Sequence, residues 1–408
     1  MIYSFIVESM DIDRNSYIEK ILPFSQKPVI KVITGMRRSG KSSILRLLQK
    51  KILKNNPSAK ILYINKESLE FDSLNDYNKL NHYVTKRFSK KSKNQFLFID
   101  EVQEIQSWEK AVASFLATGI ADIFISGSNA NMLSSELATL LSGRYIEFPV
   151  YSLTFKEFLN FRGKNSASRE SEFNQFIKFG GLPGIHYLPF EEDVMYQYIN
   201  SIFNTILLKD IIQRNAIRNS GLLERITGFV IDNCGSLITS KRISDYFKSQ
   251  KISISVDTVL NYLSFLSSGF LVHRVSRYDL KGKKHLELYD KYYIGDVGLR
   301  HSFLGYKDSD ISGILENIVY LELRKRGYKV SIGKLDNLEI DFIAEKDHEV
   351  KYFQVAYLLK NNKTSDREFI PLEKIDDNFP KYVLSMDSIT RTRANGIIHK
   401  NIIDFLLE

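Results

Sequence analysis

Residues 35–42 read Gly-Met-Arg-Arg-Ser-Gly-Lys-Ser and lie between a β-branched run and a helical run. The pattern G-x-x-x-x-G-K-[ST] constrains the fold more than any other feature, because it works only where a buried strand delivers the loop and a helix receives it. Its two glycines permit a tight turn whose backbone N–H groups converge on phosphate oxygens, and the N-terminus of the following helix adds its positive end. Val29-Ile30-Lys31-Val32-Ile33-Thr34 supplies the strand. Ile44, Leu45, Leu48 and Ile52 recur at helical spacing before Pro57. Gly35, Met36, Arg37, Arg38, Ser39, Gly40, Lys41, Ser42 and Ser43 are therefore expected to cradle nucleotide phosphates. Lys41 is expected to reach the β- and γ-phosphates and Ser42 to coordinate magnesium.

A second apolar run, Phe96-Leu97-Phe98-Ile99, ends in Asp100-Glu101. At the end of a buried strand, Asp100 is expected to hold magnesium, directly or through water, and Glu101 to orient and activate the attacking water. Ile125-Ser126-Gly127-Ser128-Asn129 ends a further strand. In a parallel sheet that end shares the phosphate loop's rim, so Asn129 or Ser128 is a candidate for contacting the γ-phosphate or the water. Gly-Ser-Asn is also ordinary turn chemistry. Arg144 is a candidate for stabilising transition-state charge, as a finger in trans or a sensor in cis, against the alternative of a solvated surface arginine.

Strands at 29–34, 61–64, 96–99 and 123–125 alternate with helical segments, which implies a parallel sheet covered on both faces. After about residue 160 the pattern changes. Gly180-Gly181-Leu182-Pro183-Gly184 is a strong breaker. Helical spacing runs over 194–214, and three short helical stretches follow over 222–268. Strand-like segments come at 271–277 and 285–294. A last region carries a helix at 312–327, a strand at 328–332, a hairpin of 339–345 with 350–358, and an apolar tail at 397–407.

Composition excludes several classes. One cysteine, Cys234, rules out an internal disulfide framework and thiolate zinc sites. The apolar opening, residues 1–7, lacks a basic flank and runs into Glu8, so no signal peptide is expected. No apolar run reaches the roughly 18–20 residues of a membrane span, and a cytoplasmic location without membrane contact is expected. The net charge of +9 permits contact with nucleic acid without requiring it.

Taken together, residues 35–42, Phe98-Ile99-Asp100-Glu101-Val102-Gln103-Glu104-Ile105, Ser126-Gly127-Ser128-Asn129-Ala130-Asn131-Met132-Leu133 and Leu141-Ser142-Gly143-Arg144-Tyr145 resemble prokaryotic AAA-type P-loop ATPases with a C-terminal domain of unknown function. Gly180-Gly181-Leu182-Pro183, Leu208-Lys209-Asp210-Ile211, Lys291-Tyr292-Tyr293, Leu315-Glu316-Asn317 and residues 377–382 extend the likeness over nearly the whole chain. The resemblance implies an α/β P-loop NTPase domain with a parallel sheet over 1–160, carrying Walker A and Walker B elements. It implies a helical lid and winged helix over 161–300, and an α/β restriction-endonuclease-like domain over 301–408. ATP and Mg2+ are the implied ligands.

In the middle region, Ser255 is expected to cap a helix with Val259, Tyr262, Leu263 and Leu266 facing the core. The outer face of that helix offers Asp257, Thr258, Asn261 and Ser264 rather than cations, while Lys241, Arg242, Lys281, Lys283 and Lys284 flank it. DNA contact and a protein-interaction module both remain open. In the last region Glu316 and Asp341 fit metal-ligand positions of a nuclease-like site. Nucleases of this type carry an acid and, two residues on, a lysine on the next strand. A turn near Asp347-His348 pairs Asp341 with about Gln354, which puts Gln354-Val355-Ala356 in the place of that acid-x-lysine element and leaves Glu349 and Lys351 near the turn. Gln is a weak metal ligand and Ala cannot replace the lysine, so this domain is expected to be catalytically degenerate. The expected activity is Mg-dependent ATP hydrolysis coupled to domain movement, acting on DNA or a protein partner, with an oligomer left open. The alternatives are a slow nucleotide-dependent switch or scaffold, and an ATP-regulated metal-dependent nuclease.

Overall fold

The computed structural model describes residues 14–88, 94–130, 143–163, 168–307, 310–359, 362–389 and 395–408. The opening stretch 1–7, the motif positions 131–133 and 141–142, and the polar residues 164–166 lie outside these. The chain forms two compact units, Met1–Val150 and Tyr151–Glu408.

In the first unit, β1 (Ile30–Thr34), β2 (Lys60–Asn65), β3 (Gln95–Asp100), β4 (Asp122–Gly127) and β5 (Tyr145–Pro149) form one sheet in the order β2-β3-β4-β1-β5. Every pairing is parallel. The apolar runs are continuous rather than alternating because both faces are covered. Leu97 and Ile99 join Ile30, Val32, Ile123 and Ile125 in one core, against helices α3 (Tyr77–Arg87) and α4 (Trp108–Thr118). Phe96 and Phe98 join Ile33 and Phe124 in the other, against α1 (Asn15–Ile21) and α2 (Lys41–Asn55). Phe98 and Phe124 stack at 4.6 Å across the β3–β4 pair. The one charge within β1, Lys31, is fully buried, pairs with Asp122 at the start of β4 and lies 4.4 Å over the Phe124 ring. A buried ammonium needs such a partner, and this one fixes β1 beside β4.

In the second unit, helices α5 (Phe155–Arg162), α6 (Arg169–Phe179) and α7 (Glu192–Thr205) come first, and α7 runs on into a π-helical turn, Ile206–Gln213. Then come α8 (Ser220–Asp232), α9 (Ser240–Ser249) and α10 (Val256–Ser268), followed by the antiparallel hairpin of β6 (Val272–Asp279) and β7 (Lys284–Ile294). Ser255 Oγ accepts from Thr258 N at 3.1 Å, and Val259, Tyr262, Leu263 and Leu266 are buried, as the spacing required. Helices α11 (Val297–Leu304) and α12 (Ile311–Lys325) lead to β8 (Lys329–Leu335), β9 (Leu338–Lys346) and β10 (Glu349–Val355). After α13 (Asn362–Glu373) come β11 (Lys381–Ser385), β12 (Ile398–Asn401) and α14 (Ile402–Leu407). The seven strands share one mixed sheet, ordered β12-β11-β10-β9-β8-β6-β7.

The first compact unit closes at Val150, and Phe155 and Phe158 of α5 pack on Phe173 and Phe176 of α6. β6 pairs with β8 through Arg277–Asp279 and Ile332–Lys334, so one sheet runs across residues 300/301.

Asn317 of α12 ties this sheet to its helices. It is 1% exposed, donates to Ile294 O at 2.9 Å and accepts from Ile294 N at 2.8 Å and Cys234 Sγ at 3.0 Å. Replacing Asn317 with Leu leaves both backbone groups of Ile294 buried and unpaired, at a cost of about 1–3 kcal/mol each. Scanning calorimetry of the full chain should show one transition shifted down by roughly 2–4 °C per kcal/mol. An unchanged profile would show that these bonds are dispensable.

Candidate nucleotide site

The strand order brings the site together. β4 lies between β1 and β3, with Ile33 level with Ser126 and Ile99 level with Ile125. The phosphate loop after β1, the acid pair after β3 and Ser126 of β4 therefore share the C-terminal rim of one sheet.

The loop has the shape its sequence demands. Gly35 has φ +145°, and a Cβ there would lie 2.2 Å from Val150 O. Gly40 precedes α2 in the left-handed region at φ +100°. Arg38 also has positive φ, at +64°. Arg14, unanticipated from sequence and almost fully buried, donates to Ser39 O at 2.7 Å and lies 4.6 Å over the Tyr17 ring. Ser39 Oγ is buried and has no hydrogen-bond partner among the described residues. A hydroxyl left without a partner inside a glycine-walled cradle fits a phosphate oxygen.

Lys41 is 4% exposed. Its Nζ donates to Gly35 O at 3.1 Å and Met36 O at 3.2 Å, and stands 3.4 Å from Glu101 Oε1. Two sequence-distant candidates are thus in contact. Glu101 itself has φ +55°, a left-handed conformation that costs a non-glycine residue on the order of 1–3 kcal/mol and marks functional sites. Its N–H donates to Ser126 Oγ at 3.1 Å, and its carboxylate accepts from Gln103 Nε2. Burial pushes this carboxyl upward, but Lys41, the Gln103 amide and Arg37 outweigh it and hold the group below the ordinary carboxylate range.

Asp100 is 1% exposed and accepts from Ser126 Oγ and from Tyr63 OH, the latter at 2.8 Å. Those bonds orient it without filling its remaining lone pairs. Asp100 and the half-buried Ser42 at the start of α2 offer oxygen donors, the hard type that magnesium takes. Among the described residues no group of three His, Cys, Asp or Glu side chains is arranged to hold a metal.

Asn129 is half-buried just beyond β4, on the loop's rim. Arg144 is not brought to the site. It is exposed and precedes β5, and its carbonyl accepts from Ile30 N at the opposite, N-terminal end of β1. Five strand residues, at about 3.3 Å each, separate the two rims. Ser126, Tyr63 and Gln103 were not singled out from sequence. Their signal was indirect, since polar residues at the ends of buried strands need partners there.

In the second unit, Glu316, Asp341, Gln354 and Glu368 line a cavity of about 380 Å³. Phe353 pairs with Phe342, which puts Gln354 opposite Asp341, and Gln354 Oε1 accepts from Asp341 N at 2.7 Å. Lys351 is directed elsewhere, to Tyr328 OH at 3.0 Å. Unanticipated is Lys291 of β7, which is buried with its Nζ 2.7 Å from Glu316, 2.8 Å from Glu339 and 3.7 Å from Asp341. Burial alone would lower the Lys291 pKa, but the three carboxylates raise it above its usual value. Burial and the neighbouring Glu316 raise that of Asp341 well above the carboxylate range against the pull of Lys291.

The fold and this rim define an AAA-type P-loop ATPase. The AAA domain family matches residues 27–159, and a domain family of unknown function, DUF8612, matches residues 170–310. The chain binds and hydrolyses ATP through its AAA domain. It belongs to the same family as an uncharacterised protein of Haemophilus influenzae, with which it is 36% identical over 400 residues, 97% of this chain and 99% of the relative. It is 32% identical over 363 residues to an uncharacterised protein of Methanocaldococcus jannaschii, covering 85% of this chain and 78% of that one. Its fold is similar to that of the Walker-type ATPase PABY2304 of Pyrococcus abyssi, with a TM-score of 0.50 and 15% identity over 72% of this chain and 95% of that one.

Lys41→Ala removes the ammonium that meets phosphate. A charged hydrogen bond of this kind contributes about 1.5–3 kcal/mol, so affinity for a fluorescent ATP analogue should fall about 10- to 100-fold. Unchanged affinity would place the nucleotide elsewhere.

Proposed function

We propose that this protein hydrolyses Mg-ATP at the loop–acid rim and uses the nucleotide cycle to act on a DNA or protein partner. The observation that carries the reading is the Lys41–Glu101 contact of 3.4 Å at the rim that Asp100 shares. Ser42 and Asp100 would hold Mg2+, which neutralises charge on the β- and γ-phosphates when bound. Glu101 accepts the proton of the attacking water. Asn129 contacts the γ-phosphate from the tip of β4. Arg144, on the far rim, serves the site of a neighbouring copy as a finger in trans.

Lys41 neutralises Glu101 while also bonded to the Gly35 and Met36 carbonyls. When Lys41 turns to phosphate, Glu101 loses its nearest cation and becomes more basic where the attacking water gives up its proton. Base strength thereby follows nucleotide occupancy.

For the second unit, the sequence α9-α10-β6-β7 suits a winged helix and the remaining strands a restriction-endonuclease-like sheet. Exposed Val256 and Leu260 on α10 suit a protein partner. Exposed Lys281, Lys283 and Lys284 at the hairpin tip suit phosphate. The nuclease-like cavity is catalytically silent in this reading. Lys291 already neutralises the acids a divalent ion would need, and a metal would have to displace a buried ammonium from three carboxylates.

Glu101→Gln should retain ATP affinity while lowering turnover by about 10²- to 10⁴-fold, measured as phosphate release from the full chain. Normal turnover in that variant would remove Glu101 as the base. Supercoiled plasmid incubated with the wild-type chain in Mg2+ or Mn2+ should remain intact, and nicking abolished by Asp341→Ala would contradict a silent cavity.

A further inference from the structure

Gln103 is the nearest polar neighbour of Glu101 that the activity does not yet use. Its position follows from the backbone. The left-handed turn at Glu101 is succeeded by a single 3₁₀ turn, Val102–Glu104, in which Glu104 N donates to Glu101 O at 3.1 Å. That reversal folds the side chain of the second residue onward back over the first.

Two bonds define the orientation of the Gln103 amide. Nε2 donates to Glu101 Oε2 and, at 3.5 Å, to Ser128 Oγ beyond β4. Only the nitrogen can face a carboxylate, since an amide oxygen there would be repelled. The remaining atom, Oε1, is therefore assigned by chemistry. It is buried and has no hydrogen-bond partner among the described residues. A buried acceptor of this kind calls for a donor such as water. The position is next to the carboxylate that takes a proton from the attacking water.

We propose that Gln103 orients the attacking water, its Nε2 fixing the Glu101 carboxylate and its Oε1 accepting the hydrogen of that water which Glu101 does not take. The inference rests on Glu101 being the base. In the step, the water oxygen bonds to the γ-phosphorus as the bond to the bridging oxygen breaks. The bridging electron pair leaves with ADP. One proton passes to Glu101, and the second remains on the new P–OH, facing Gln103 Oε1. A water held by one acceptor can rotate about that bond, whereas two acceptors fix its attacking lone pair. The link to Ser128 ties this arrangement to the tip of β4, where Asn129 also lies.

The test compares Gln103→Leu, Gln103→Asn, Glu101→Gln and the double variant Glu101→Gln/Gln103→Leu in the full chain. Affinity for the fluorescent ATP analogue and phosphate release are measured in parallel. Gln103→Leu should bind the analogue within about threefold of wild type, with kcat lower by about 100-fold. Gln103→Asn, which keeps the amide on a shorter arm, should recover part of that loss. The double variant should be no slower than Glu101→Gln alone, because the two act on one water. If Glu101→Gln is inactive while Gln103→Leu keeps wild-type kcat, Gln103 has no such role. The same conclusion follows if Gln103→Leu loses affinity in step with turnover, or if the single losses multiply in the double variant. Normal turnover by Glu101→Gln removes the base itself, and with it this use of Gln103.

Discussion

A buried lysine and a buried glutamate hold each other at the mouth of the phosphate loop. Neither charge is tolerable there alone, because each would be desolvated without compensation. The pair exists because β4 spaces β1 from β3 by one strand, which sets the loop and the acid pair at bridging distance. Lys31 and Asp122 keep β4 in that place from the other end of the strands. The Glu101 backbone, held in a left-handed conformation by Ser126, presents the carboxylate to Lys41 rather than into the core.

Much of this was legible in the chain. The glycines and Lys41 announce the loop, and the apolar runs of β1, β3 and β4, broken only by Lys31 in β1, announce strands covered on both faces. The rest was obscured for physical reasons. β5 reads Tyr-Ile-Glu-Phe-Pro, with a charge and a terminal proline suited to an edge strand and without the apolar run that marks its neighbours. Helix α13 contains Pro371, which masks its period. The contact of Tyr63 with Asp100 depends on strand order, which local pattern does not encode. The place of Arg144 was equally hidden. The parallel direction of β5 puts it at the N-terminal rim, away from this chain's own phosphate loop.

Lys291 illustrates the same limit in the second unit. The hairpin register around Asp341 follows from counting residues back from the turn, and the loss of a lysine at Ala356 is plain in the sequence. That β7 returns an ammonium to the same acids from a different strand is a property of the folded sheet. Its only trace in the sequence is a lysine set among buried residues of a strand, where an unpaired charge is not stable. In both units a lysine is the internal counter-ion of a carboxylate cluster. The first stands in an open cradle and can be drawn off by phosphate, whereas the second is enclosed by three acids.

The most direct measurement is a crystal structure of the chain with Mg2+ and a non-hydrolysable ATP analogue. The account predicts that Lys41 Nζ leaves Glu101 and the Gly35 and Met36 carbonyls for phosphate oxygens, with Ser42 and Asp100 around the metal. A nucleotide bound while Lys41 remains paired with Glu101 would contradict it.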